Sequence, residues 1–559
     1  MTAYITGPIG KVEDLRNSPK RWLVLAVMSL GIFLILVDNT IVNTALPAIS
    51  RDLGASTSTL QWVVDSYTLV LAGLLLLGGT IGDRFGRRPW MAIGMSIFGV
   101  AAVGAAFSTN AETLITFRAL QGVGAALVMP ATLSILTDVF PRQERAKAIG
   151  IWTGVGGLGI GTGPAIGGYL VDEFGWSAVF LMHIPIVALA LAGLLFLVPE
   201  SRDSRKRRLD VPGGLLATGG LLALGYGIIQ GAEAGWTSGE IVGSFVGAVA
   251  LLTAFMIVEL RSAEPMLPLQ FFRQKDFTGG VLVIGMIFFA MFVTFFFLTQ
   301  YFQLVQGRSA FEAGLLIVIP AAGMMTGAPI AGLLVKRIGP RLLLLGALTS
   351  MITGLLLFLR LEVDTSTLQI AISLFTFGLG VGTALAPLTD TVMAAVPVND
   401  AGVGSAANDV SRELGAALGI AIVGSFVNSI YRSNVEEALS GSVPASAIEA
   451  AKEGIGGATF GSEGLPADVA AQVISSANVA FVDAITAGFI VSIGVLAVAA
   501  VITLTLLPSK MRETQAELEE LTPEVAPSPQ PMISSVGQGT PLAAEVPQTR
   551  VTSEIETRR

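Results

Sequence analysis

Gly79-Thr80-Ile81-Gly82-Asp83-Arg84-Phe85-Gly86-Arg87-Arg88 sets four charges between two long apolar runs, Leu69 to Ile81 and Met91 to Phe107. Charges at that density do not rest in hydrocarbon, so the stretch marks a membrane surface with a spanning helix on each side. Gly86 permits a tight reversal, and Arg84, Arg87 and Arg88 assign that turn to the cytoplasm. The pattern returns 253 positions later, where Gly332, Lys336, Arg337, Gly339 and Arg341 stand in the places of Gly79, Asp83, Arg84, Gly86 and Arg88. An internally duplicated membrane protein follows.

Composition agrees. Of 559 residues, 52% are hydrophobic and 13% charged, and apolar runs long enough to cross a bilayer recur to the end of the chain. A soluble fold would leave several of these runs with no face toward water. The 65 glycines suit helices that pack closely in lipid. With no cysteine, disulfides and thiolate chemistry are excluded, and a single histidine argues against a metal site or a Ser-His triad. The basic residues are scattered over short loops, which gives no surface for nucleic acid. A Gly-Lys-Ser/Thr phosphate loop is absent, so no nucleotide is expected.

The apolar runs predict an all-α polytopic protein of fourteen spans: 22–47, 59–82, 90–108, 112–137, 148–171, 176–198, 212–232, 239–260, 277–301, 312–335, 342–361, 368–396, 404–431 and 477–507. The first span carries Asp38 and leads directly into the second, so it reads as retained rather than as a cleaved signal. Under this topology 26 of the 33 Lys and Arg residues fall on the side of the termini, in the loops there or in the tail, which places 1–21 and the tail in the cytoplasm. The expected divisions are a six-helix bundle at 22–198, a basic linker with two inserted spans at 199–276, and a second six-helix bundle at 277–507. Within the latter, 432–476 is expected as a long outer loop containing a short Ala/Glu-rich helix. The tail, 508–559, has the composition of disorder. Two bundles and a duplicated turn imply alternating access around a midplane site.

Several segments then fit one family. Gly79–Arg88 resembles motif A of the major facilitator superfamily, and Arg118-Ala119-Leu120-Gln121-Gly122 resembles its motif B. Gly150, Gly159, Gly163-Pro164 and Gly167-Gly168 reproduce the spacing of motif C, the antiporter signature. Leu36-Val37-Asp38-Asn39-Thr40-Ile41-Val42-Asn43-Thr44-Ala45-Leu46-Pro47 resembles the first-helix motif of the 14-helix drug:proton antiporters, the QacA/EmrB group. The resemblance runs from about residue 20 to 510. It implies a transporter of lipophilic, cationic drugs coupled to protons, without a cofactor or metal, working as a monomer in the cytoplasmic membrane. It also implies that Asp83 pairs across the bundles and holds the outward-facing state. Export of an endogenous lipid or secondary metabolite is the alternative on the same fold; nothing marks an enzyme.

The residues support this reading on their own terms. Asp38 lies deep in the first span, where low dielectric favours the neutral form of a carboxyl, the property a proton carrier needs; the other reading is a structural carboxylate neutralised by a neighbour. Arg118, in the fourth span, needs a partner or a wet cavity, and Asp38 is one candidate for an acid beside it. By resemblance it also takes part in proton transfer. Asp65 is a contact for cationic drugs by resemblance, or an outer-mouth residue without a role. Asp390, Asp409 and Glu413 add acids to the second half, with Arg412 placed to neutralise one of the last two. Some relatives carry an acid shortly after the position of Pro320, where this chain reads Gly323-Met324-Met325. The glycines Gly159, Gly163, Gly167 and Gly168, with Pro164, are expected to let the opposite bundle approach. In the ninth span Phe288, Phe289, Phe292, Phe295, Phe296, Phe297 and Tyr301 read mostly as lipid-facing, although Phe288, Phe292 and Phe295 share a face suited to flat cations. His183 is expected to pack near Pro185 rather than to relay protons.

Overall fold

The structure, a computed structural model, describes residues 18–509 apart from 203–208, 263–264, 267–268, 397–400 and 463–464. Most of the N-terminus, most of the basic linker and the tail from 510 therefore lie outside the described residues.

Helices α1 (Arg21–Leu53), α2 (Thr57–Phe85), α3 (Arg87–Ala106), α4 (Ala111–Val139), α5 (Arg142–Phe174), α6 (Ser177–Leu181) and α7 (His183–Leu197) build the first half. Two further helices, α8 (Val211–Ala234) and α9 (Gly239–Arg261), lead to α10 (Lys275–Gln300), α11 (Ala310–Phe358), α12 (Thr367–Ala394), α13 (Ala401–Leu439), α14 (Ala445–Lys452), α15 (Ile455–Gly461) and α16 (Ala467–Leu506). Among the described residues thirteen segments are long and apolar enough to span a membrane. The fourteenth expected span is α5, which is 33 residues long. Its nine glycines keep it below the hydropathy of the others. Helix starts are fixed by side chains that accept the first free N–H groups: Ser56, Asn110, Ser238 and Ser366, with a full capping box at Ser309 and Glu312.

The duplicated turn is present in both halves. Gly86 (φ 117°) separates α2 from α3, and Gly339 (φ 79°) interrupts α11 where two spans meet. Only glycine enters these conformations without strain. Arg88 then donates to the carbonyl of Leu195, and Arg341 Nε donates to Leu507 O at 2.8 Å. Each arginine thus occupies a carbonyl that the last helix of its own half leaves free.

Helix α8 lies along α2 and α13, one from each half, while α9 packs on α8. Thr218 of α8 fits against Gly73, where a Cβ would come within 2.4 Å of its hydroxyl. The inserted pair therefore covers one seam between the halves.

The halves meet closely at the end opposite the glycine turns. Asp172 of α5 accepts from the N–H groups of Ala310 (3.0 Å) and Phe311 (2.8 Å), capping α11 across the seam. Gln303 donates to Thr44 O at 3.0 Å, and Gln61 to Ile420 O at 3.4 Å. Toward the glycine turns, Gly150, Gly154 and Gly157 of α5 and Gly332 of α11 border open space: added Cβ atoms there would meet nothing within 4 Å.

Two expectations are corrected here. Residues 432–476 are not one long loop. They contain the last turns of α13, both short helices and the start of α16, all continuing or packing on the transmembrane bundle. This segment also fastens to the first half: Thr57 N–H donates to Glu453 O at 3.0 Å, and a Cβ at Gly456 would touch Ser50. Second, the aromatic run of α10 does not face lipid. Phe288, Phe289, Phe292, Phe295, Phe296, Phe297 and Tyr301 are all buried within the protein.

Candidate functional site

The first-helix segment places five polar side chains, Asp38, Asn39, Thr40, Asn43 and Thr44, in the middle of an apolar helix, and all five are buried. Such groups persist in a bilayer only where other helices supply partners. For Asp38 the partner is Arg118 of α4, whose Nη1 lies 2.7 Å from Oδ2, with the two side chains 0% and 1% exposed. Arg118 Nε also donates to Val63 O (3.0 Å) and Nη1 to Gln121 Oε1 (3.0 Å), and the guanidinium lies 4.4 Å from the Tyr67 ring centre. Four groups from three helices thus hold one guanidinium. A buried ion pair depends on such additional bonds, and losing one partner costs about 3–5 kcal/mol.

The remaining carboxylate oxygen, Oδ1, faces His183 Nε2 at 3.5 Å. His183 Nδ1 is 3.1 Å from Phe180 O, and its ring meets Phe98 edge-on. The histidine expected only to pack is therefore part of the Asp38 site. Tyr67, Gln121 and Asn39 were also missed as site residues. A polar residue inside an apolar span is the signal that marks each, as it marked Asp38.

Glu413 of α13 reaches the same region from the other half. Asn39 Nδ2 donates to its Oε1 at 3.3 Å. Asp65 is fully buried in α2, and neither of its carboxylate oxygens has a hydrogen-bond partner among the described residues. Glu413 Oε2, Asn39 Oδ1, Asn43 Oδ1, Gln61 Oε1 and Tyr67 OH share that state. Buried acceptors concentrated on α1, α2 and α13 require water or a polar ligand between the helices. Phe288 and Phe292 stack nearby in sequence on α10, 6.3 Å apart, and Arg412 lies 5.5 Å from the Phe288 ring.

Other candidates fall elsewhere. Arg412 approaches Asp409 (3.9 Å), not Glu413. Asp390 is exposed near the end of α12. Asp83 accepts from Arg87 Nε at 2.7 Å, and Arg87 also pairs with Asp138, so the motif A ion pairs described here stay within the first half. Arg84 is exposed.

The α5 glycines divide between two neighbours. Cβ atoms at Gly159, Gly163 and Gly167 would strike α1 of the same half, at Val37 N (3.2 Å), Thr40 Oγ1 (2.3 Å) and Thr44 Oγ1 (2.4 Å). Gly168, with Pro164, instead touches the opposite half, Gly168 against Ala310 O and Pro164 O against Gly314, and Gly161, outside the expected set, meets Ala321 there. The expectation that the whole set admits the opposite bundle is corrected accordingly. Three of the glycines clamp the helix turns around Asp38 to the helix that forms the seam.

Comparison with known proteins places this geometry. The family model described as Major Facilitator Superfamily matches residues 28–420. The chain is 36% identical over 508 residues to the multidrug efflux pump LfrA of Mycolicibacterium smegmatis, covering 88% of this chain and 98% of that protein. It is 35% identical over 423 residues to the multidrug resistance protein Stp of Mycobacterium tuberculosis, covering 76% and 79%. Among solved structures, a bacterial homologue of the human lysosomal transporter Spinster, in an inward-facing and occupied conformation, superposes with a TM-score of 0.57. That match has 18% identity and covers 87% of this chain and 97% of that one. With its duplicated glycine turns, its two six-helix halves and a family match across most of its length, the chain belongs to the Major Facilitator Superfamily of membrane transporters.

Proposed function

We propose that this protein exports lipophilic, cationic small molecules in exchange for protons. It works by alternating access as a monomer in the cytoplasmic membrane, with both termini in the cytoplasm and the proton gradient as its only drive. The observation that carries the reading is the Asp38–Arg118 pair, fully buried in mid-helix and pressed by Gly159 and Gly163 against the seam helix α5. Asp38 carries the proton; Arg118 holds its carboxylate in place. Glu413 and Asp65, acids with unpartnered oxygens, attract the positive charge of the substrate, with Phe288 and Phe292 offering a flat apolar surface. Asp409 and Asp390 stand on the route from the cytoplasm. The Gly79–Arg88 turn governs switching between states.

With the Lys- and Arg-rich ends inside, the open space beside Gly150, Gly154, Gly157 and Gly332 lies toward the cytoplasm, which supports an inward-facing reading. The names of LfrA and Stp support the export of drugs. Efflux of a cationic dye measured in inverted membrane vesicles tests the proposal. An imposed proton gradient should drive dye accumulation without ATP, and dye movement indifferent to the gradient would remove the antiport reading.

A further inference from the structure

We propose that His183 is a second ligand of the transported proton, which is held between Asp38 Oδ1 and His183 Nε2. This rests on Asp38 as the proton carrier. Phe180 O can only accept, so the 3.1 Å contact makes Nδ1 a protonated ring nitrogen, and in the neutral imidazole Nε2 then keeps its lone pair. That lone pair faces Asp38 Oδ1 at 3.5 Å. Both atoms are buried, and neither has a hydrogen-bond partner among the described residues. Two opposed buried acceptors with no donor between them cost free energy until a proton joins them. The other carboxylate oxygen is already engaged by Arg118, so an arriving proton is directed to Oδ1.

Among the described residues the groups facing the imidazole are few. They are Asp38 from α1, Arg118 from α4, the Phe98 ring edge from α3 and the Phe180 carbonyl from α6; the Tyr67 phenol of α2 covers the far face of Arg118. One proton, taken from the outer aqueous side, converts the opposed acceptors into a single Nε2···H···Oδ1 bridge. Its release on the cytoplasmic side restores them. No bond other than those to this proton is made or broken.

His183 is the only histidine in the chain, so ¹⁵N-histidine labelling of the full protein, purified with a histidine-free tag, gives one pair of ring signals. Across the pH range in which the protein transports, Nδ1 should stay protonated. The Nε2 signal should move from the bare to the protonated position as the pH falls, and this transition should change in Asp38→Asn. A Nε2 signal that stays bare at every transporting pH overturns the proposal. In parallel, His183→Gln keeps a hydrogen-bonding side chain that does not take up protons. It should shift the pH of half-maximal dye efflux to more acid values by roughly one unit or more, the worth of a charge-assisted hydrogen bond. An unchanged pH profile counts against His183 alone. Full proton-driven efflux by Asp38→Asn instead removes the underlying reading, so the two failures are told apart.

Discussion

Asn39 and Glu413 stand 374 positions apart and share a hydrogen bond of 3.3 Å that joins the first helix of one half to α13 of the other. Only Oε1 of the carboxyl is engaged; Oε2 is buried and has no hydrogen-bond partner among the described residues. In the proposed function that oxygen faces the positive charge of the substrate. Glu413→Gln keeps the shape and the bond to Asn39 but loses the charge. Affinity for a monocationic dye, read by fluorescence binding, should fall about tenfold or more, equivalent to roughly 1.4 kcal/mol. A neutral substrate should bind as before. Equal losses for both would show that Glu413 serves packing instead.

Asp83 should act on turnover. Its carboxylate accepts from Arg87 within its own half, and Arg87 retains Asp138 if Asp83 is neutralised. The turn therefore keeps its shape in this state, and any cross-half role of Asp83 belongs to the opposite one. Asp83→Asn should lower the maximal efflux rate while KM stays within about threefold. A KM change as large as the rate change would place Asp83 at the binding site.

The duplicated turn and the Asp38–Arg118 pair were legible in the sequence because each breaks an apolar run with a charge, and hydrocarbon tolerates few such breaks. Gly86 and Gly339 announced themselves by position. What hydropathy does not encode is which face a neighbouring helix covers. Phe296 and Phe297 look the same whether lipid or protein lies against them, and they proved to be buried. His183, Tyr67 and Gln121 come from three different helices, so their meeting at Asp38 and Arg118 is a property of packing. The Ala/Glu-rich stretch of 432–476 marked one short helix, found as α14, whereas the Gly-rich segment 455–461 carries no such signal for α15.

The fastening of that segment to the first half should break in every transport cycle. A Cβ at Gly456 would lie 3.2 Å from Cβ of Ser50, close to disulfide geometry. The chain has no cysteine of its own, so Ser50→Cys with Gly456→Cys introduces a single possible bridge. Oxidation should stop efflux and reduction should restore it, with neither treatment affecting the parent protein. Continued efflux by the oxidised, demonstrably bridged protein would mean that this face never opens.

Orientation is open to the same chemistry. Arg202, exposed beyond α7, should be cytoplasmic, and Ser442, exposed between α13 and α14, should be external. In intact cells an impermeant thiol reagent should label Ser442→Cys and spare Arg202→Cys. The reverse pattern inverts the topology and with it the inward-facing assignment.

The sharpest expectation concerns Asp38. Asp38→Asn imitates the permanently protonated carboxyl, leaving an amide oxygen for Arg118 to bond. Membrane insertion should survive, since the change removes a charge from the middle of a span. Arg118 then lacks its ionic partner, and stability should fall by up to about 3–5 kcal/mol. Its bonds to Val63 O and Gln121 limit that loss. Proton-driven dye efflux should stop, because no proton is released on the cytoplasmic side. Exchange of labelled for unlabelled substrate, which needs no net proton movement, should persist and so prove the variant folded and mobile. Asp38→Glu restores a titratable group about one methylene further along and should recover part of the driven flux. Full driven efflux by Asp38→Asn at normal expression would transfer the coupling role to the acids of the second half, with Glu413 first because it alone among them reaches the first helix.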